Sequence, residues 1–197
     1  MFIELTEILK CPRDHRESYL VATPIAMDGR HIVRGVVGCP ECRAEFPIVD
    51  GVAWFGPPDA PAAPVASPAY EADGLAAFLN LTGPGGYVVL AGAAARHAAA
   101  LAAVVPGVHV VAVNAPGAPV PAPALSYLHA PAGLPLTSRS VRGVALGADA
   151  AGEPWLAEAA RVLLPGLRLV VEGETVAPAG VAELARGAGV FVGVRTA

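Results

Sequence analysis

The chain has 197 residues, room for one medium domain or for a small module joined to a larger one. With a net charge of -4 and a single lysine, Lys10, it lacks the basic footprint of a nucleic-acid binder. An apolar share of 54% against a charged share of 15% points to a homo-oligomer or a chain with a protein partner.

The start, Met1–Leu9, carries Glu4 and Glu7 in place of a basic cluster, so no secretory leader is expected. The most apolar span, Val88–Val113, is interrupted by Arg96, His97, Pro106, Gly107 and His109. No membrane helix is therefore expected, and the chain reads as cytoplasmic. A short helix that Thr6 would cap precedes Cys11, and a hairpin is expected from Tyr19–Thr23 and His31–Val37 around Asp28-Gly29. Cys39-Pro40-Glu41-Cys42 follows as a knuckle in which two thiolates can grip one ion from a tight turn.

Cys11 adds a third thiolate, and a structural zinc site needs a fourth ligand, which "CPRDHR" must supply. Asp14 completes a C-x-x-C-like spacing, whereas His15 lies one residue further on. Imidazole is the commoner companion of three thiolates and has the longer reach, so His15 is favoured and Asp14 is its alternative. A module of this size gains stability from such a crosslink. The segments "LTEILKCP", "CPEC" and "FPIVDGVAWF" resemble the small zinc-ribbon proteins that act as activator subunits of transfer-RNA and protein methyltransferases. The same ribbon is found fused ahead of bacterial methyltransferase domains. The resemblance implies a ribbon over Leu5–Phe55 that binds a methyltransferase fold. Asp14 departs from it, standing where a cysteine is usual.

The ribbon module is assigned to residues 1–56, a proline-rich linker to 57–69, and a second module to 70–197. Strands are expected at Gly86–Ala91, Val108–Val113, Ser126–His129, Val141–Gly147, Leu167–Glu172 and Val190–Arg195. Helices are expected at Tyr70–Leu81, Ala94–Val104, Pro154–Leu164 and Pro178–Arg186. The alternation predicts an α/β fold, a doubly wound and mainly parallel Rossmann-like sheet. "NAPGAPVPAP", between the second and third of these strands, carries four prolines and is expected to cross without a helix.

"LPLTSRSVRGVALGADAAGEPWLAEAARVLLPGLRLVVEG" is similar to the central part of class I S-adenosylmethionine-dependent methyltransferases, with Arg161–Leu169 matching their "R-V-L-x-P-G-G-x-L" element. That resemblance implies a cofactor loop after the first strand, with an acid and three glycines. Val89, Ala91, Ala93 and Ala95 fall on those positions; a shift by one places Leu90 and Gly92 there instead. Asn114 replaces the ribose-binding acid, Ala130 the acid near adenine, and Arg142 a fourth acidic signature position. Gly92 and Asn114 are what remains of a cofactor site, and the sequence argues against S-adenosylmethionine binding in the usual mode. His97, His109 and His129 have no companion carboxylates, Ser126 and Ser138 lack a nucleophile elbow, and no catalytic residue is assigned. The expected protein is a zinc-binding interaction or regulatory pseudoenzyme; the alternative is a methyltransferase with an atypical cofactor loop.

Overall fold

A computed structural model describes residues 1–57, 68 and 70–197, so most of the assigned linker lies outside the described residues. A 3-10 helix, Ile3–Glu7, opens the chain. Thr6 does not cap it; the residue lies inside, where its Oγ1 donates to the Ile3 carbonyl at 2.8 Å. Strands β1 (Val21–Asp28), β2 (His31–Gly38), β3 (Glu45–Val49) and β4 (Val52–Trp54) form an antiparallel meander. The β1–β2 turn is centred on Gly29-Arg30, one residue later than expected, since Asp28 pairs with His31.

Beyond the linker come α1 (Ala72–Phe78), β5 (Tyr87–Ala91), a 3-10 helix (Gly92–His97), α2 (Ala98–Val104), β6 (His109–Val113) and β7 (Leu125–His129). The chain continues through β8 (Val141–Leu146), a short 3-10 turn (Ala148–Ala150), α3 (Glu153–Val162), β9 (Leu163–Glu172), β10 (Val181–Gly187) and β11 (Val190–Arg195). Pro154 sits in the first turn of α3, where its missing N–H costs nothing. The β6–β7 crossover carries no helix.

The expected helix at Pro178–Arg186 is a correction: those residues contribute to strand β10, antiparallel to β11. Its Ala, Glu, Leu and Arg favour a helix, but the turn at Ala188-Gly189 has positive φ at both residues, 49° and 74°. That is the twist of a two-residue hairpin turn, and tertiary pairing overrides the weak local preference.

Among the described residues all strands belong to one eleven-stranded sheet, ordered β1-β2-β3-β4-β7-β6-β5-β8-β9-β11-β10. Its centre, from β4 to β9, is parallel. The ribbon thus joins the second module by strand pairing, with Val52, Ala53 and Trp54 opposite Tyr127, Leu128 and His129. Two cores flank the sheet. Leu75, Leu79, Ala98 and Leu101, from α1 and α2, cover one face. On the other face Leu5, Leu9 and Phe46 of the ribbon share a core with Val89, Val111, Leu136 and Leu156. The β7–β8 connection has no helix, and the ribbon packs against it: Leu9 bridges Leu136, and the Thr137 amide donates to the Ile8 carbonyl at 2.8 Å. An interior needs dense filling, and here the ribbon supplies part of it.

Candidate metal centre and crevice

Three short segments deliver a compact donor set. Cys11 follows the first 3-10 helix, His15 lies four residues on, and the β2–β3 turn carries Cys39 and Cys42. One ligand atom from each lies within 4.8 Å of all the others. The Cys11 and Cys42 sulfurs are 3.7 Å apart, and Cys39 Sγ is 3.5 Å from His15 Nε2. Tetrahedral zinc, with bonds of about 2.3 Å to sulfur and about 2.0 Å to nitrogen, spaces such atoms about 3.8 and about 3.5 Å apart. The donor set therefore fits zinc.

The second ring nitrogen of His15, Nδ1, contacts the Arg16 carbonyl at 2.6 Å and Glu41 Oε2 at 3.2 Å, the outer-sphere support that orients a ligating imidazole. Asp14 is exposed and outside the cluster. Burial pushes the Cys11 thiol up to about 11. Burial raises Cys39 too, but the backbone amides of Cys42 and Glu41 outweigh it and leave that thiol at about 6.

A second candidate site is the crevice at the carboxyl ends of β5 and β8, where successive crossovers diverge to opposite sides of the sheet. Gly92 is there, at φ 61°, but the loop it opens is in direct contact with the turn after β8. The Gly147 amide donates to the Ala91 carbonyl at 2.9 Å, and the Ala93 amide donates to Asp149 Oδ1 at 2.8 Å. A Cβ on Gly147 would stand 2.5 Å from the Ala93 nitrogen. Asn114, at the end of β6, donates through Nδ2 to the Ala130 carbonyl (2.8 Å) and accepts at Oδ1 from the Ala130 amide (2.9 Å). Its amide ties β6 to β7. Val89, Leu90, Ala91 and Ala95 are all buried.

Beside the crevice, Glu172 at the end of β9 is fully buried. Arg96 grips it through Nη1 at 2.9 Å and Nη2 at 2.7 Å, and the Tyr70 hydroxyl donates to Glu172 Oε1. Tyr70 stacks on His97 with centroids 4.9 Å apart, and Arg96 also reaches the Pro68 carbonyl at 3.4 Å. Burial, followed by the Arg96 charge, lowers His97, and burial with Glu172 raises Tyr70. Sequence reading missed Glu172, Asp149 and Tyr70. One available signal was that Glu172 is the lone acid closing the apolar run Leu169–Val171.

The remaining candidates scatter. Arg142 lies at the start of β8, away from the crevice, where Nη1 donates to the carbonyls of Gly83 (2.7 Å), Pro84 (3.1 Å) and Gly85 (2.7 Å). It therefore does not count as a lost cofactor contact, which corrects the sequence reading. His109 is buried at the start of β6 and pairs with Ser126 Oγ at 2.9 Å. His129, at the end of β7, contacts the Pro57 carbonyl at 2.9 Å. Ser138 bonds Glu17 and Arg161, so the three histidines and two serines form no common site.

Residues 3–51 match the family model described as Trm112p-like protein. The N-terminal module is a Trm112p-like zinc ribbon. Among solved structures, the chain is similar to a methyltransferase assigned to an antibiotic biosynthesis pathway of Anabaena variabilis ATCC 29413. The two are 23% identical over 51% of this chain and 43% of that one, with a TM-score of 0.42. A S-adenosylmethionine-dependent methyltransferase from Aquifex aeolicus is 16% identical over 64% of this chain and 89% of its own, with a TM-score of 0.47. The antibiotic-resistance methyltransferase Kmr is 15% identical over 67% and 96%, with a TM-score of 0.46. No curated protein matches the chain. The strand order and parallel centre define the second module as a doubly wound, Rossmann-like α/β fold. Among the described residues no helix is long and apolar enough to cross a membrane.

Proposed function

We propose that the protein is a non-catalytic, zinc-binding interaction or regulatory protein built on a degenerate methyltransferase fold. The observation that supports this most is the internal use of the crevice groups. Asn114 bonds Ala130, Asp149 takes the Ala93 amide, and Arg96 and Tyr70 hold Glu172. Each of these groups would have to exchange an internal bond for a ligand bond, so binding there gains little net energy. A fold alone carries no activity, and no carboxylate stands at Val89, Asn114 or Ala130.

Cys11, His15, Cys39 and Cys42 would hold zinc, which supplies a crosslink between the N-terminal segment and the β2–β3 turn. The resemblance of the ribbon to methyltransferase activators supports a protein partner. Calorimetric titration of the protein with S-adenosylmethionine and S-adenosylhomocysteine tests the reading. No heat of binding is expected up to about millimolar ligand, and micromolar affinity for either would overturn it.

A further inference from the structure

The four donors of the metal centre differ in access. Cys11 and Cys39 are buried and His15 is half-buried, so Cys42 is the one exposed member of the set. Its sulfur lies 3.7 Å from that of Cys11, which is 31 residues away in sequence. Cys39 Sγ is also within 4.8 Å of both, but the backbone amides of Cys42 and Glu41 donate to it and it faces His15 Nε2 at 3.5 Å. Backbone bonds fix the two segments. The Cys11 amide donates to the Ser18 carbonyl at 2.9 Å, and the Arg43 amide closes the Cys39–Cys42 turn on the Cys39 carbonyl at 3.0 Å.

Three thiolates against the double charge of zinc leave excess negative charge on the sulfurs, and an electrophile arriving from solvent meets Cys42 first. We propose that Cys42 is a modification site for hydroperoxides, that Cys11 is its resolving thiol, and that their disulfide takes over the crosslink zinc supplies. The Cys42 thiolate attacks a peroxide oxygen. An S–O bond forms and the O–O bond breaks. The sulfur is oxidised by two electrons to a sulfenic acid, and the departing oxygen takes a solvent proton as water or an alcohol. The Cys11 thiolate then attacks the Cys42 sulfur, forming the S–S bond and expelling hydroxide, which solvent protonates. His15 and Cys39 remain, too few donors for a structural zinc site. The Cys11–Cys42 bond joins the same segments as the metal does, whereas a Cys39–Cys42 bond would stay within one turn. The inference rests on the zinc-binding part of the proposed function and is independent of the crevice.

The test treats the zinc-loaded full protein with a small excess of hydrogen peroxide, follows zinc release with a metal-sensitive dye, and maps tryptic peptides without reduction. Peptides 11–13 and 35–43 should be joined, with fragmentation placing the bond at Cys42, and dithiothreitol with zinc should reverse the change. The oxidised, zinc-free protein should melt about 5 °C or more above the reduced, chelated protein. Cys42→His keeps four donors but removes the exposed sulfur, and should slow zinc release about tenfold or more. If that variant holds no zinc, the position of the bond in the unaltered protein decides alone. Protein that binds no zinc before peroxide is added overturns the zinc reading itself. In zinc-loaded protein, a Cys39–Cys42 bond, sulfinic or sulfonic acid without a linked peptide, or equally fast release from Cys42→His would each overturn the present inference.

Discussion

At the scale of single residues, Gly147 and Glu172 carry measurable consequences. Gly147 has an ordinary φ of -68°, so an added methyl group would suffer from its neighbours alone: the Ala93 and Ala94 nitrogens, 2.5 and 2.7 Å away, and Asp149 Oδ1 at 2.6 Å. Gly147→Ala should therefore cost about 2 kcal/mol or more in urea denaturation, the penalty of overpacking against backbone. Glu172→Gln leaves Arg96 without its counter-charge and should cost roughly 3 kcal/mol, while the paired Arg96→Met/Glu172→Met variant should recover much of that loss. His109 gives the pH dependence. Burial, with the charges of His31 and the Met1 amine, holds it at about 4, against about 6.5 in an unfolded chain. Both states are neutral above pH 6.5. Between about 6.5 and about 4 only the unfolded state gains the proton, so stability should fall by about 3 kcal/mol across that window. Denaturation at stepped pH checks this, and His109→Asn should flatten most of the slope.

Among elements, the long apolar strands were legible because Val88–Leu90 and Val110–Val113 have no alternative to burial on both faces. The cysteine ribbon was legible from spacing. What escaped the sequence was pairing at a distance. Nothing local distinguishes Val181–Gly187 from a helix until β11 stands beside it, and nothing in "GVAWF" tells that Val52–Trp54 meets Tyr127–His129. The crevice was half legible. Missing acids can be read at Val89 and Ala130, but Asp149 folding back onto Ala93 depends on two loops meeting. Arg142 was misread for the same reason, because its position along β8 decides which end of the sheet it serves. The β4–β7 ladder has its own test. Ala53 is buried and pairs with both Ile48 and Leu128, so Ala53→Pro should cost about 3 kcal/mol or more and speed tryptic cleavage at Arg34 and Arg43.

For the whole molecule, one core containing Leu9, Phe46, Val111 and Leu156 couples the ribbon to the larger module. Purified protein should contain about one equivalent of zinc, and under about a tenth by elemental analysis would reject the four-ligand site. Because the core is shared, chelation or Cys39→Ser should lower the melting temperature of the entire chain in one transition, instead of splitting off an independent ribbon event. The contact of the Phe2 amide with Ser126, 124 residues along the chain, has a kinetic counterpart. During synthesis the ribbon emerges before β7, and until β7 has left the ribosome the outer edge of β4, the one not paired with β3, has no partner and the ribbon's apolar side has no sheet to cover. High contact order of this kind slows folding and lengthens the exposure of an open strand edge. The half-finished chain is thus the state in which this protein most needs a chaperone.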